Sequence, residues 1–152
     1  MAQIMIIRHA EKPSLDGTVR GVTETGDQDP LELSVRGWQR AGASVRLFAP
    51  VAPRVAADPL ATPTVIFATA TTAASPRLRP QHTVTPLAAL LGVIVDRNHA
   101  EGDEADLAGA AAAGGPVLIC WHHEHTVRLV QSIARAAIDC PNAWPDARFD
   151  MV

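Results

Sequence analysis

Apolar residues along this chain fall into short unbroken runs, separated by segments in which they recur every three or four positions. Residues 4–7 (Ile4-Met5-Ile6-Ile7) form a run of strand length, and so do 65–68 and 117–121. Such runs predict strands buried on both faces, as in parallel sheets. A further strand is expected over 92–96. Trp38, Ala41, Val45 and Phe48 recur at helical spacing behind Ser34, a good N-cap, and predict a helix over 35–48. Ser75-Pro76 reads as a helix start. Pro80 is expected to shorten or kink that helix, and Pro86 to open another short piece through Leu91. An Ala-rich helix over 104–113 closes at Gly114 and Gly115. A last helix is expected over about 126–138, with Val127, Val130, Ile133, Ala134 and Ala137 along one face.

Strands alternating with helices predict a single domain over 1–152, of the three-layer α/β class: a mostly parallel sheet with helices on both faces. The polar, Gly-containing stretch 14–30 has no useful periodicity and reads as a long loop, placed to act as a flap over whatever follows the first strand. The stretch 49–63 holds four prolines and reads as a surface connection. The tail 146–152 begins an apolar alternation and then stops. It reads as a last strand cut short, which leaves one sheet edge incomplete.

A chain of 152 residues is long enough for a real core, and only 4% of them are aromatic, so alanine and small aliphatics must fill it. The net charge of −3 leaves no basic surplus of the kind nucleic-acid binding needs. Positive potential must be local, as in an anion pocket. Cys120 and Cys140 are the only cysteines. Cys120 lies in an apolar run, where a buried, reduced thiol is expected. No secretory signal pattern and no apolar run of membrane-spanning length is visible, so the expectation is a cytoplasmic protein without a membrane partner.

The chemistry gathers at strand tips. The first run ends in Arg8-His9, and in open α/β sheets ligands sit just past the carboxyl ends of strands. A guanidinium fork matches phosphate, and a neutral imidazole can attack phosphorus. The dipeptide alone also fits a solvated strand-end charge beside a hydrogen-bonded histidine. The run 117–121, however, ends in His122-His123-Glu124-His125, and the run 65–68 leads through Ser75-Pro76 to Arg79. A parallel sheet brings all these tips to one rim. Two arginines, two histidines and a carboxylate suit phosphoryl transfer through a phosphohistidine.

The same residues resemble the motifs of the histidine phosphatase superfamily, which has the phosphoglycerate-mutase-like fold. Arg8-His9-Ala10 is similar to its opening Arg-His-small motif. Leu33-Ser34-Val35-Arg36-Gly37-Trp38-Gln39-Arg40-Ala41 is similar to its Leu-Ser/Thr-x-x-Gly-x-x-Gln-Ala helix, with one residue inserted before the alanine. Ser75-Pro76-Arg77-Leu78-Arg79-Pro80-Gln81-His82-Thr83 is similar to its Ser-Pro-x-x-Arg-x-x-x-Thr motif, although Pro80 stands where a small residue is usual. Val117 to His123 is similar to its histidine-ended strand. The four occur in the family's order, and Arg8-His9-Ala10-Glu11-Lys12-Pro13 resembles the opening of a small bacterial subgroup.

The resemblance implies a metal-independent phosphatase without a cofactor, acting on a small phosphorylated substrate or a phosphoprotein. It implies His9 as nucleophile, Arg8 and Arg79 as phosphoryl ligands, and His123 as the second pocket histidine. His122 is expected to be structural, because adjacent residues on an extended chain point to opposite sides. The acid that protonates the leaving group is left open: Glu124 first, Glu101 next, with Asp96 and Asp103 also available. Lys12 and Ser75 are candidates for touching substrate.

Two rival readings remain. One is a metal-dependent hydrolase using His122, His123, Glu124 and His125, although consecutive residues rarely aim at one ion. The other is a non-catalytic protein of the same fold that binds a phosphorylated ligand.

Overall fold

In the computed structural model, which describes residues 3–53, 59–135 and 142–152, the sheet is four-stranded and all parallel. In chain order the elements are β1 (Ile4–Arg8), α1 (Val35–Phe48), β2 (Val65–Ala68), α2 (Arg79–Leu91), β3 (Val95–Asp96), α3 (Glu104–Ala111), β4 (Val117–Trp121) and α4 (His123–Ala134). The strand order is β1-β4-β2-β3. Connections β1-α1-β2 and β2-α2-β3 advance across the sheet, whereas β3-α3-β4 returns. Right-handed crossovers therefore put α1 and α2 on one face and α3 on the other.

The two cores follow that division. Met5, Ile7, Ile66, Ala68, Leu118 and Cys120 pack with Phe48 of α1 and with Val84, Leu87 and Ala88 of α2. Phe67, Val117, Ile119 and Trp121 pack on the opposite face with Leu107 and Ala111 of α3 and Leu129 of α4. The alternation along β4 sends odd and even residues to different cores, and all five of its residues are buried. The Cys120 thiol is buried and free; Cys140 lies outside the described residues, as do Ala137 and Ile138 of the expected last helix. Among the described residues no helix is long and apolar enough to cross a membrane.

Several sequence expectations need correction. β1 is an edge strand, with Ile4 and Ile6 only half-buried, so it is not covered on both faces as its unbroken apolar run suggested. α2 is one continuous helix that begins at Arg79 rather than at Pro76. Pro80 falls in its first turn, where the missing N–H has no intrahelical acceptor to lose, and Pro86 lies inside the helix without opening a new one. β3 is shorter than 92–96, because Gly92 takes a left-handed conformation that closes α2. α3 stops at Ala111, and α4 starts at His123, three residues before Thr126. The described tail residues 142–152 form turns and no strand. The stretch 14–30 is a loop, but its long-range contacts tie Val22 to Leu33 and Trp38 and Gly21 to Ser34, not to His9.

Candidate active site

β1 connects to the α1 face, while its neighbour β4 connects to α4 on the other face. Adjacent strands whose chains leave in opposite directions open a crevice between their carboxyl ends. The register Arg8↔Trp121 makes His9 and His122 the next pair beyond the ladder, and the His9 amide still donates to the Trp121 carbonyl at 3.2 Å. The His9 ring lies 5.5 Å from that of His122 and 5.7 Å from that of His123, edge-on to both.

The chain around His9 is braced from two helices. Ser34 caps α1 by accepting from the Gly37 amide at 3.1 Å, and its hydroxyl and amide both donate to the Glu11 carbonyl, at 3.1 and 2.9 Å. Gly37 has to be glycine, since a Cβ there would stand 2.4 Å from the Glu11 carbonyl oxygen. Leu33 and Ala41 pack on Ala10. From α2, the Thr83 hydroxyl donates to the Arg79 carbonyl (2.7 Å) and accepts from the Ala10 amide (2.9 Å), linking the arginine's turn to the histidine's strand. The spacing shared by the Leu-Ser and Ser-Pro motifs is thus the spacing that holds the first loop in place.

His9 is 2% exposed, and its Nδ1 lies 2.7 Å from the Ala10 carbonyl oxygen. A carbonyl can only accept, so Nδ1 carries the proton and Nε2 keeps its lone pair. Burial, with His122, Arg8 and Arg79 adding to it, holds the imidazole well below its usual 6.5. The ring is neutral at ordinary pH.

Around it lie buried side-chain nitrogens without a hydrogen-bond partner. Among the described residues, Arg8 Nε and Nη2 and Arg79 Nε have no hydrogen-bond partner, nor do the Nδ1 atoms of His122 and His123. Burial lowers the pKa of both arginines, although each stays charged at neutral pH. A buried unpaired donor costs about 1–3 kcal/mol, more on a charged group, so such a cluster is expected where an anion completes it.

The acids sit at the rim in different settings. Glu101 Oε1 is 3.3 Å from His122 Nε2 and accepts from the buried Ser75 hydroxyl at 3.1 Å. Glu124 is mostly exposed in the first turn of α4, 4.0 Å from His123 Nε2. Asp96 and Asp103 are used locally, accepting from the Asn98 and Ala100 amides at 2.9 and 2.8 Å. Glu11 turns away to hold Arg40 through both its oxygens. Lys12 is half-buried, and its charge acts on His123.

The early start of α4 overturns the expectation that only one of His122 and His123 can reach the pocket. The chain is extended at His122 but helical from His123, so both rings face His9. His122 is fully buried, and burial followed by Arg77 and Arg79 lowers it to about 3. The three histidines nonetheless point to different carboxylates: His122 to Glu101, His123 to Asp146, and His125 to Glu104. Among the described residues no group of three or more His, Cys, Asp or Glu side chains is arranged to hold a metal ion.

One part of the site was not foreseen at all. The Arg8 guanidinium donates from Nη1 to the Asp146 carbonyl at 2.6 Å and lies 3.9 Å from the Phe149 ring centre. The Asp146 carboxylate is 3.0 Å from His123 Nε2. The alternation of the tail hinted at a strand, and nothing in its local pattern signals a contact with Arg8.

No protein-family model matches this chain, and no curated protein matches it either.

Proposed function

We propose that this chain is a metal-independent phosphomonoesterase of the histidine phosphatase type, with a phosphoglycerate-mutase-like fold, acting through phosphorylated His9. The observation that carries the reading is a neutral histidine, its tautomer fixed by the Ala10 carbonyl, set among unpaired buried N–H groups of Arg8 and Arg79. Such a set pairs a nucleophile with donors for a phosphoryl group.

In the first step the Nε2 lone pair of His9 forms an N–P bond as the ester P–O bond breaks. The guanidinium groups of Arg8 and Arg79 take up charge on the phosphoryl oxygens, and a rim carboxylic acid gives its proton to the departing alkoxide. In the second step water attacks phosphorus with the same carboxylate as base, the N–P bond breaks, and inorganic phosphate leaves with His9 restored. Glu124 and Glu101 are the candidate donors, each beside a flanking histidine. The substrate is a small phosphate ester or a phosphoprotein.

Rapid quenching after incubation with a labelled aryl phosphate tests the reading. The expected result is an acid-labile, base-stable phosphoprotein that is lost in His9→Ala together with turnover, by at least about 10³-fold. Turnover that survives in His9→Ala sinks the proposal. Phosphate binding without turnover in the wild type selects the non-catalytic ligand-binding reading instead.

A further inference from the structure

We propose that Asp146 is a positioning residue of the phosphoryl site, whose carboxylate selects the cationic form of His123 so that Nδ1–H of that ring faces the phosphoryl oxygens. The inference rests on the phosphatase reading of His9.

The geometry begins with the two nitrogens of His123. Nε2 lies 3.0 Å from Asp146 Oδ1. Nδ1 is buried, has no partner among the described residues, and belongs to a ring 5.7 Å from His9. In the neutral ring a carboxylate beside Nε2 draws the single proton there, which leaves Nδ1 a lone pair that repels a phosphoryl oxygen. Only the imidazolium carries a proton on both nitrogens. A pocket that holds a phosphoryl group with His123 therefore needs that ring charged.

The surroundings mostly oppose the charge. Burial acts against it first, and Arg8 from β1 and Lys12 from the loop after β1 add to that; Glu124 on α4 and Asp146 on the tail act for it. The neighbouring rings of His9 and His122 are kept neutral by burial. His123 also occupies the first position of α4, where the helix dipole disfavours a cation. Asp146 is the carboxylate in closest contact with the ring, at 3.0 Å against 4.0 Å for Glu124.

Its placement is built rather than incidental. The backbone carbonyl of Asp146 accepts from Arg8 Nη1, and the Phe149 ring packs on the same guanidinium. One residue thus grips a phosphoryl-binding arginine with its main chain and a flanking histidine with its side chain. Burial holds His122 at about 3 despite Glu101 at 3.3 Å, whereas at His123, which burial also lowers, Glu124 and Asp146 oppose that lowering.

The test is competitive inhibition of aryl phosphate turnover by inorganic phosphate, measured from about pH 5 to about pH 8 for the wild type, Asp146→Asn and Asp146→Glu. The ionisation of phosphate is common to all three and cancels in ratios of inhibition constants. Without the carboxylate His123 loses its proton at lower pH. The Asn-to-wild-type ratio is therefore near one at the acid end and climbs to roughly three- to tenfold toward the alkaline end. Asp146→Glu restores much of the wild-type profile. The Asp146 side chain is mostly exposed, so neither change threatens folding. Loss of a merely structural contact weakens phosphate equally at every pH, and a ratio that does not vary with pH overturns the inference. If His9 is phosphorylated normally while the ratio stays flat, this inference alone falls. If the wild type neither turns over nor binds phosphate, the proposed function falls with it.

Discussion

The Nδ1 atom of His9 lies 2.7 Å from the carbonyl oxygen of Ala10, the next residue in the chain, so the histidine's own backbone fixes which nitrogen is free. Burial then keeps the ring from taking a second proton. Tautomer and protonation state are both set by the fold itself.

That state gives a pH profile. In the proposed mechanism neutral His9 is the attacking form, and its pKa is lowered well below 6.5, so protonation removes activity only at pH values well under that figure. We expect kcat/KM for an aryl phosphate to hold up through pH 6 and fall on a more acidic limb. A limb centred at or above 6.5 excludes His9, as described, from being the attacking group.

The same burial has a cost in stability. His122 falls from 6.5 to about 3 on folding, so the unfolded chain binds the extra proton first. Its contribution to stability is fully present above 6.5 and is lost as pH falls toward 3. Each such histidine lowers the unfolding free energy by about 1.4 kcal/mol per pH unit inside that window. Urea unfolding at a series of pH values between 7 and 4 should show this slope, and His122→Gln should flatten it. An unchanged slope in the variant rules out a buried neutral His122.

Two glycines on α1 make opposite predictions. A Cβ at Gly37 would meet the Glu11 carbonyl oxygen at 2.4 Å, backbone that cannot yield without moving the loop after His9. Gly37→Ala should cost about 1–3 kcal/mol and lower kcat, since Ala10 shifts with Glu11. A Cβ at Gly42, on the exposed side of the helix, meets nothing within 4 Å. Gly42→Ala should gain about 0.5–1 kcal/mol with activity unchanged. Thermal melts and steady-state kinetics on the two variants decide the matter.

The sequence carried β2, β4 and α1 well because each rests on a local signal: apolar runs at 65–68 and 117–121, and a serine cap before a periodic helix. Local pattern misleads at α2 because the effect of a proline depends on helix register; Pro80 falls in the first turn, where it does no harm. The polar run 122–125 hides helical periodicity, so the start of α4, and with it the placement of both His122 and His123 beside His9, is not legible locally. The roles of Asp146 and Phe149 lay beyond reach. Their contacts with Arg8 bridge more than a hundred residues, and that of Asp146 with His123 joins the tail to the start of α4, a placement no local pattern encodes.

The identity of the proton donor can be read from leaving groups. Glu101 is half-buried and lies against His122 and Ser75, while Glu124 stands largely in solvent 4.0 Å from His123. Loss of a general acid typically costs about 10²–10⁴-fold on a poor leaving group, and far less when the leaving oxygen is already stable as an anion. The donor's Gln variant should therefore be crippled toward an alkyl phosphate yet retain most activity toward p-nitrophenyl phosphate. The other Gln variant should lose similar, modest activity on both esters. If Glu101→Gln shows the selective loss, the acid is the one placed beside His122. If Glu124→Gln shows it, α4 supplies both a pocket histidine and the donor from consecutive residues of its first turn. Equal losses on both esters in both variants leave neither carboxylate as the donor.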